Sequence, residues 1–401
     1  MSRNAIQAVL EGCCGSGVSP VTRATGPVRS VYVHAPFCAR RCFYCDFAVH
    51  ISRNGDLDGW LRALEWELEL VQEEGYFSLG EELETLFVGG GTPSVFAPEA
   101  MSGLARIIGQ DRLKGAGLEW TAEANPESFT QSVAEGWARA GVNRVSLGAQ
   151  SFQGPALRWL KRLHGPQEPA RAVKRAGAVG IGNVNVDLIF GLPREVERDW
   201  SLDLESALAL GVPHLSLYGL SVERGTPLAA AVDGGAVSSP DEEDYREQFM
   251  VASERLTAEG FRHYEVSNFA LPGFEAQHNR IYWEGAPYLG LGNSAHSFRA
   301  PRRRWNLREW AAYQKASQEG DAPWDSEEVL GSEDARLEGI WLGLRTDRGI
   351  RVSDIESEAR VLVEGWVSKG LAMMSHGAVR LTPEGWLLLD QLVVELDLAQ
   401  G

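Results

Sequence analysis

Between residues 28 and 219 the chain alternates two hydrophobic periods, and that alternation limits its fold more than any other feature. Short β-branched runs lie at 30–34, 85–88, 118–123, 144–148, 184–189 and 214–218. Longer stretches with helical spacing separate them. In the first, Trp60, Leu61, Leu64, Leu68 and Val71 mark one face and acids mark the other. Further helices are expected at 99–108, 131–140, 154–163, 169–179 and 200–210. Strands alternating with helices predict an α/β fold with a parallel sheet. Such a sheet closes into a barrel or stays open, and in both cases ligands bind beyond the carboxyl ends of the strands.

After residue 219 the pattern changes. An acidic helix is expected at 241–259, followed by a stretch rich in glycine and aromatic residues from 278 to 298. Residues 370–385 read as a β-hairpin feeding a last helix, the pattern of a small α+β, winged-helix-like domain. The expected organisation is a flexible extension over 1–27, a barrel over 28–260, a connecting region over 261–325 and a C-terminal domain over 326–401.

Three of the five cysteines crowd into Cys38-Ala39-Arg40-Arg41-Cys42-Phe43-Tyr44-Cys45, directly after the first strand. The loop therefore falls at the ligand-binding end of the sheet. Thiolates are soft ligands, and a short loop brings three of them to one small object. Three are too few to close a four-iron cube, so one iron would stay open. The alternatives are chance clustering, or a zinc site completed by His34 or His50, although zinc sites usually pair two separated ligand couples. The odd, crowded set does not read as a disulfide framework; a reducing cytoplasm is expected. Cys13 and Cys14 sit upstream as unremarkable thiols.

A formal net charge of −17 argues against nucleic acid, which needs a basic stripe. Arg40-Arg41 and Arg302-Arg303-Arg304 read as solvated surface or anion contacts at a site mouth. No apolar run is as long as a membrane helix.

The cysteine spacing, with Tyr44 before the last cysteine, resembles the signature of the radical S-adenosylmethionine (SAM) superfamily. The resemblance implies a partial (β/α)6 barrel and a [4Fe–4S] cluster on Cys38, Cys42 and Cys45, with SAM chelating the open iron. In that family the reduced cluster passes an electron to the sulfonium and yields a 5′-deoxyadenosyl radical. Gly89-Gly90-Gly91-Thr92-Pro93-Ser94 resembles the family's motif for the SAM amino group; on its residues alone it is a glycine-rich loop open to close backbone approach. Similarity to coproporphyrinogen-dehydrogenase-like members implies SAM contacts at Tyr32, Gly90, Gly91, Thr92, Glu123, Gln150, Arg162 and Asp187. A carboxylate inside an apolar strand needs a partner, and an amine or ribose would serve.

His278-Asn279-Arg280-Ile281-Tyr282-Trp283 resembles the H-N-x-x-Y-W motif of HemW-type heme chaperones. That resemblance implies heme contact at His278 and delivery of heme to an acceptor, expected to be a respiratory protein; such acceptors are membrane-bound, which leaves peripheral membrane contact open, but no amphipathic basic helix supports it. The residues alone also read as a helix cap or a core hydrogen-bond network, and His34, His164 and His296 are rival histidines. The region from 326 resembles the HemN-type C-terminal domain. Oxygen-independent coproporphyrinogen III oxidases carry C-x3-C-x2-C-x-C, and Phe47 stands at their fourth cysteine. The oxidase, or a related radical SAM methyltransferase, is the alternative function. A radical tRNA-modifying enzyme would need a basic accessory domain.

Overall fold

A computed structural model describes residues 27–400. Most of the expected N-terminal extension, with Cys13 and Cys14, lies outside the described residues. The strands in chain order are β1 (Ser30–Ala35), β2 (Phe37–Cys38), β3 (His50–Ile51), β4 (Thr85–Gly90), β5 (Glu119–Ala124), β6 (Arg144–Gln150), β7 (Asn183–Phe190) and β8 (His214–Gly219). They continue with β9 (Arg262–Glu265), β10 (Asn268–Ala270), β11 (Leu289–Leu291), β12 (His296–Arg299), β13 (Arg302–Asn306) and β14 (Trp324–Val329). The last three are β15 (Ile350–Arg351), β16 (Ala372–Ser375) and β17 (Ala378–Leu381).

Among the described residues the main sheet has nine strands in the order β11-β1-β4-β5-β6-β7-β8-β10-β9. From β11 to β8 every pairing is parallel; β10 and β9 add an antiparallel pair. The six expected βα strands are thus consecutive neighbours, and the two outer strands do not pair with each other. This is the partial barrel anticipated above. The sheet does not end with the expected barrel segment, however, because β9, β10 and β11 come from residues 261–325. β11 is three residues long in a glycine-rich run, too short to show a strand period.

Alternation within the strands explains the curl. Val31, Val33, Leu86, Val88, Trp120, Ala122, Val145 and Leu147 are buried in one continuous core that includes Trp60, Leu64, Leu104 and Trp137 of the outer helices. The alternate positions are polar and meet inside the barrel. Asn185 Nδ2 donates to Ser146 (2.7 Å), its amide oxygen lies 2.6 Å from His214 Nδ1, and Ser216 donates to Asn268 (2.7 Å). Parallel sheets more often bury apolar residues on both faces. A polar inner face means that the interior is organised by hydrogen bonds, as a ligand site requires.

The helix Leu57–Glu74 fixes the cysteine loop from behind. Asp56 caps it by accepting from Gly59 N (2.9 Å), and Trp60 Nε1 donates to His34 O at the end of β1 (2.9 Å). Glu67 on the same helix accepts from Gly292 N (2.8 Å) and from the Tyr313 hydroxyl (2.6 Å), tying the segment after β11 into place. The C-terminal hairpin β16–β17 forms as expected, with His376 and Gly377 at positive φ in its turn. It pairs with β15, while β12, β13 and β14 form a separate sheet.

Candidate functional site

The three cysteines lie on a loop clamped at its base. β2 and β3 pair in parallel, with Phe37 opposite His50 and Cys38 opposite Ile51. Ser52 N then donates to Cys38 O (2.9 Å), so the intervening loop is closed at both ends. Cys38, Cys42 and Cys45 are all partly exposed and none is in a disulfide. Burial pushes the Cys38 thiol up to about 12, and the other two sulfurs add to that shift. Among the described residues no three of His, Cys, Asp and Glu are gathered as ligands of a single ion. Three sulfurs on one rim, near enough to influence one another, suit an object that offers each its own corner.

A hydrogen-bond chain joins two of these sulfurs across the mouth. Cys38 Sγ lies 3.3 Å from Thr92 Oγ1, and Asn125 Nδ2 donates to that same hydroxyl (3.2 Å). Arg162 Nη2 donates to Asn125 Oδ1 (2.5 Å) and Gly148 O (2.7 Å), while its Nη1 donates to Cys42 Sγ (3.3 Å). Arg162 reaches this point because the expected helix stops early. The helix runs Gly154–Trp159, and Lys161 then takes a φ of 58°, which turns the chain towards the mouth. Asn125 is one residue that sequence reasoning missed. Its signal was a polar side chain at a strand end, immediately before Pro126.

Deeper in the barrel, Glu123 accepts from Gly90 N (3.0 Å). Burial, then the charge of Asp187, push its carboxyl up to about 8. Burial also raises Asp187, which is bonded by Asn185 Nδ2 (2.7 Å) and by the Ser146 hydroxyl (3.3 Å). Two buried carboxyls that resist ionisation would release their protons to solvent when a cationic ligand binds beside them. The Tyr32 hydroxyl is 3.0 Å from His34 Nδ1, and its ring stacks on Phe87. Tyr44 packs against a second apolar cluster that includes Leu160 and Ile189.

Gln150 at the end of β6 takes a φ of 66°, and its buried amide oxygen has no partner among the described residues. Arg162 Nε is likewise buried and unpartnered. Orphaned polar atoms at the mouth fit a polar ligand such as SAM. The glycine loop carries a different lesson. A Cβ at Gly90 would stand 2.3 Å from the His34 ring, and one at Gly91 would stand 2.5 Å from Ala35 O. Both glycines are required by protein packing beneath the loop, not only by approach of a ligand.

His278 sits elsewhere. It is buried at the amino end of the barrel strands, with Nδ1 2.7 Å from Thr85 Oγ1 and Nε2 2.9 Å from the Tyr282 hydroxyl. Its ring stacks on Phe87 at 5.1 Å. Both nitrogens are engaged, so iron would have to displace one of these bonds. The helix that carries it, Gln277–Trp283, begins where Glu119 accepts from the backbone N–H groups of Gln277 and His278. In this fold the imidazole lies at the barrel floor, held by Thr85 and Tyr282. Phe47 is 58% exposed beside the cysteine loop.

The radical SAM superfamily model matches residues 32–207. The chain is 35% identical over 380 residues to the heme chaperone HemW of Mycobacterium tuberculosis, covering 94% of this chain and 96% of that protein. It is 31% identical to the heme chaperone HemW of Bacillus subtilis, with 91% and 98% coverage. It is 33% identical to the mitochondrial radical S-adenosyl methionine domain-containing protein 1 of Bos taurus, with 94% and 89% coverage. Among solved structures, coproporphyrinogen III oxidase HemN of Escherichia coli superposes with a TM-score of 0.76 at 22% identity, over 99% of this chain and 94% of that one. That likeness concerns the fold.

Proposed function

We propose, from the premise that the chain belongs to the radical SAM superfamily and within it to the HemW heme chaperones, that it holds a [4Fe–4S] cluster and SAM, and carries heme to an acceptor protein. The observation that carries this reading is the chain of contacts Cys38–Thr92–Asn125–Arg162–Cys42. It couples two proposed cluster ligands to residues expected at SAM, so the two groups would be held by one polar frame.

Cys38, Cys42 and Cys45 would hold the cluster, and Thr92 and Arg162 would fix two of the sulfurs. Glu123 and Asp187, neutralised by burial in the empty barrel, would ionise against a positively charged ligand. Tyr32 supports His34, and Gly90 N holds Glu123. The unpartnered atoms of Gln150 and Arg162 are available to SAM, and Tyr44 packs the loop that carries the cysteines. When bound, the cluster and SAM supply one-electron chemistry next to this frame. Among the described residues no helix is long and apolar enough to cross a membrane. A cytoplasmic setting, and peripheral contact at a membrane-bound respiratory acceptor, belong to this proposal.

The test loads the anaerobically reconstituted protein with hemin and mixes it with membranes holding a heme-depleted respiratory cytochrome. Heme should leave the chain for the acceptor, and a Cys42→Ser variant should deliver it abnormally. Failure of transfer, or formation of protoporphyrinogen from coproporphyrinogen III and SAM, would favour the oxidase.

A further inference from the structure

A groove of about 1030 Å³ opens between the helix Gln277–Trp283, strands β12 and β13, and the helices Ser332–Leu344 and Leu389–Ala399. Its size is at the upper end of small-ligand sites. We propose that the cargo heme lies in this groove, with the His296 imidazole facing its iron. The inference rests on the heme-chaperone reading and gives the cargo a place and a ligand.

The walls suit a flat macrocycle. Tyr282, Trp283 and Tyr288 form one side; Phe298, Trp305 and Trp341 contribute others. Trp283 and Trp341 are steadied by Arg345, whose guanidinium lies 4.4 Å and 5.4 Å from their rings. Broad aromatic faces offer the contact area that a porphyrin plane needs. Leu337 and Val394 add apolar surface that the protein leaves 38% and 53% exposed. Arg303 is the cation of the wall and already pairs with Glu328 (2.9 Å) and Glu338. Those acids, with Asp334 and Asp390, direct the heme carboxylates outward to the open rim.

Elimination selects the histidine. His34, His164, His214, His263 and His278 each have both ring nitrogens hydrogen-bonded. His50 borders the cysteine loop and His376 sits in a hairpin turn. His296 lines the groove with neither nitrogen bonded among the described residues, its ring stacked at 5.9 Å and 25° on Trp305. Partial desolvation in the groove also lowers its pKa, although the ring keeps solvent access, and this favours the neutral form that binds iron.

The position has a consequence for the chemistry. Tyr288 directly precedes β11, whose Leu289 is level with Val31 near the start of β1. The cysteine loop leaves the other end of β1, about 20 Å away for a six-residue strand. A heme in the groove would be shielded from a radical made at the cluster, which fits carriage of intact cargo. Tyr282, bonded to His278, is the wall's connection to the barrel interior.

The test is hemin titration of the full chain, wild type against His296→Ala and against the groove-filling Val394→Trp, followed by Soret absorbance. His296→Ala should shift the Soret band and weaken binding about tenfold or more, with added imidazole restoring the band. Val394→Trp should also weaken binding. If wild type binds one hemin and either variant binds with unchanged spectrum and affinity, the groove assignment is overturned while the chaperone reading stands. If wild type binds no hemin at unit stoichiometry, the chaperone reading itself fails.

Discussion

Arg162 Nη1 donates to Cys42 Sγ across 3.3 Å, while Nη2 of the same guanidinium is anchored on Asn125 and Gly148. The donor is therefore pre-positioned, and a thiolate there would accept it without rearrangement. Hydrogen bonds to ligating sulfurs stabilise the more negative, reduced cluster and raise its potential. Replacing Arg162 with Leu should make the cluster harder to reduce, seen as a more negative midpoint in an EPR-monitored redox titration. An unchanged midpoint would contradict the role given to this contact.

Glu123 predicts a pH dependence of SAM binding. Its folded carboxyl is raised to about 8 from a usual 4.5. Without a cationic partner the unfolded chain loses this proton first, so the group costs stability as pH rises from about 4.5 through 8. A positively charged ligand favours the ionised form, and its binding should release a proton and strengthen as pH approaches 8. Calorimetry in buffers of different ionisation enthalpy measures that proton. Glu123→Gln should abolish its release and flatten the affinity profile.

His278 predicts a stability effect. Replacing it with Ala removes a buried ring and leaves the Thr85 and Tyr282 hydroxyls without their shared partner. The expected cost is about 2–4 kcal/mol, read as a lower urea midpoint. Burial holds its folded pKa down at about 3, against 6.5 for the ordinary imidazole. The neutral ring thus contributes stability above 6.5 that is lost as pH falls towards 3. His263 and His34, lowered to about 3 and about 4 by burial, have the same sign. Denaturant midpoints should decline over that window, and less so in His278→Gln if its fold is retained.

Much of the barrel was legible because its six strands carry a clear period and its turns carry glycine. The run read at 118–123 forms Glu119–Ala124, and the run at 214–218 forms His214–Gly219. The cysteine loop was legible because three soft ligands in eight residues are rare. Leu289–Leu291 was not, since a strand of that length has no measurable period. Asn125, Ser146 and Asn185 were missed because a polar residue inside a strand shows its partner only after the sheet has curled. His278 was read from its motif, but its orientation depends on Thr85, 193 residues away. The groove is built from segments between Tyr282 and Val394, and no local pattern announces it.

The central claim is that Cys38, Cys42 and Cys45 hold an iron–sulfur cube with one iron open to SAM. The most direct measurement is the EPR spectrum of the reduced, anaerobically reconstituted protein with and without SAM, alongside metal and sulfide analysis. The account predicts about four irons and four sulfides per chain, a spectrum that changes when SAM is added, and loss of both in Cys42→Ser. Zinc in place of iron, absence of sulfide, or a spectrum indifferent to SAM would contradict it.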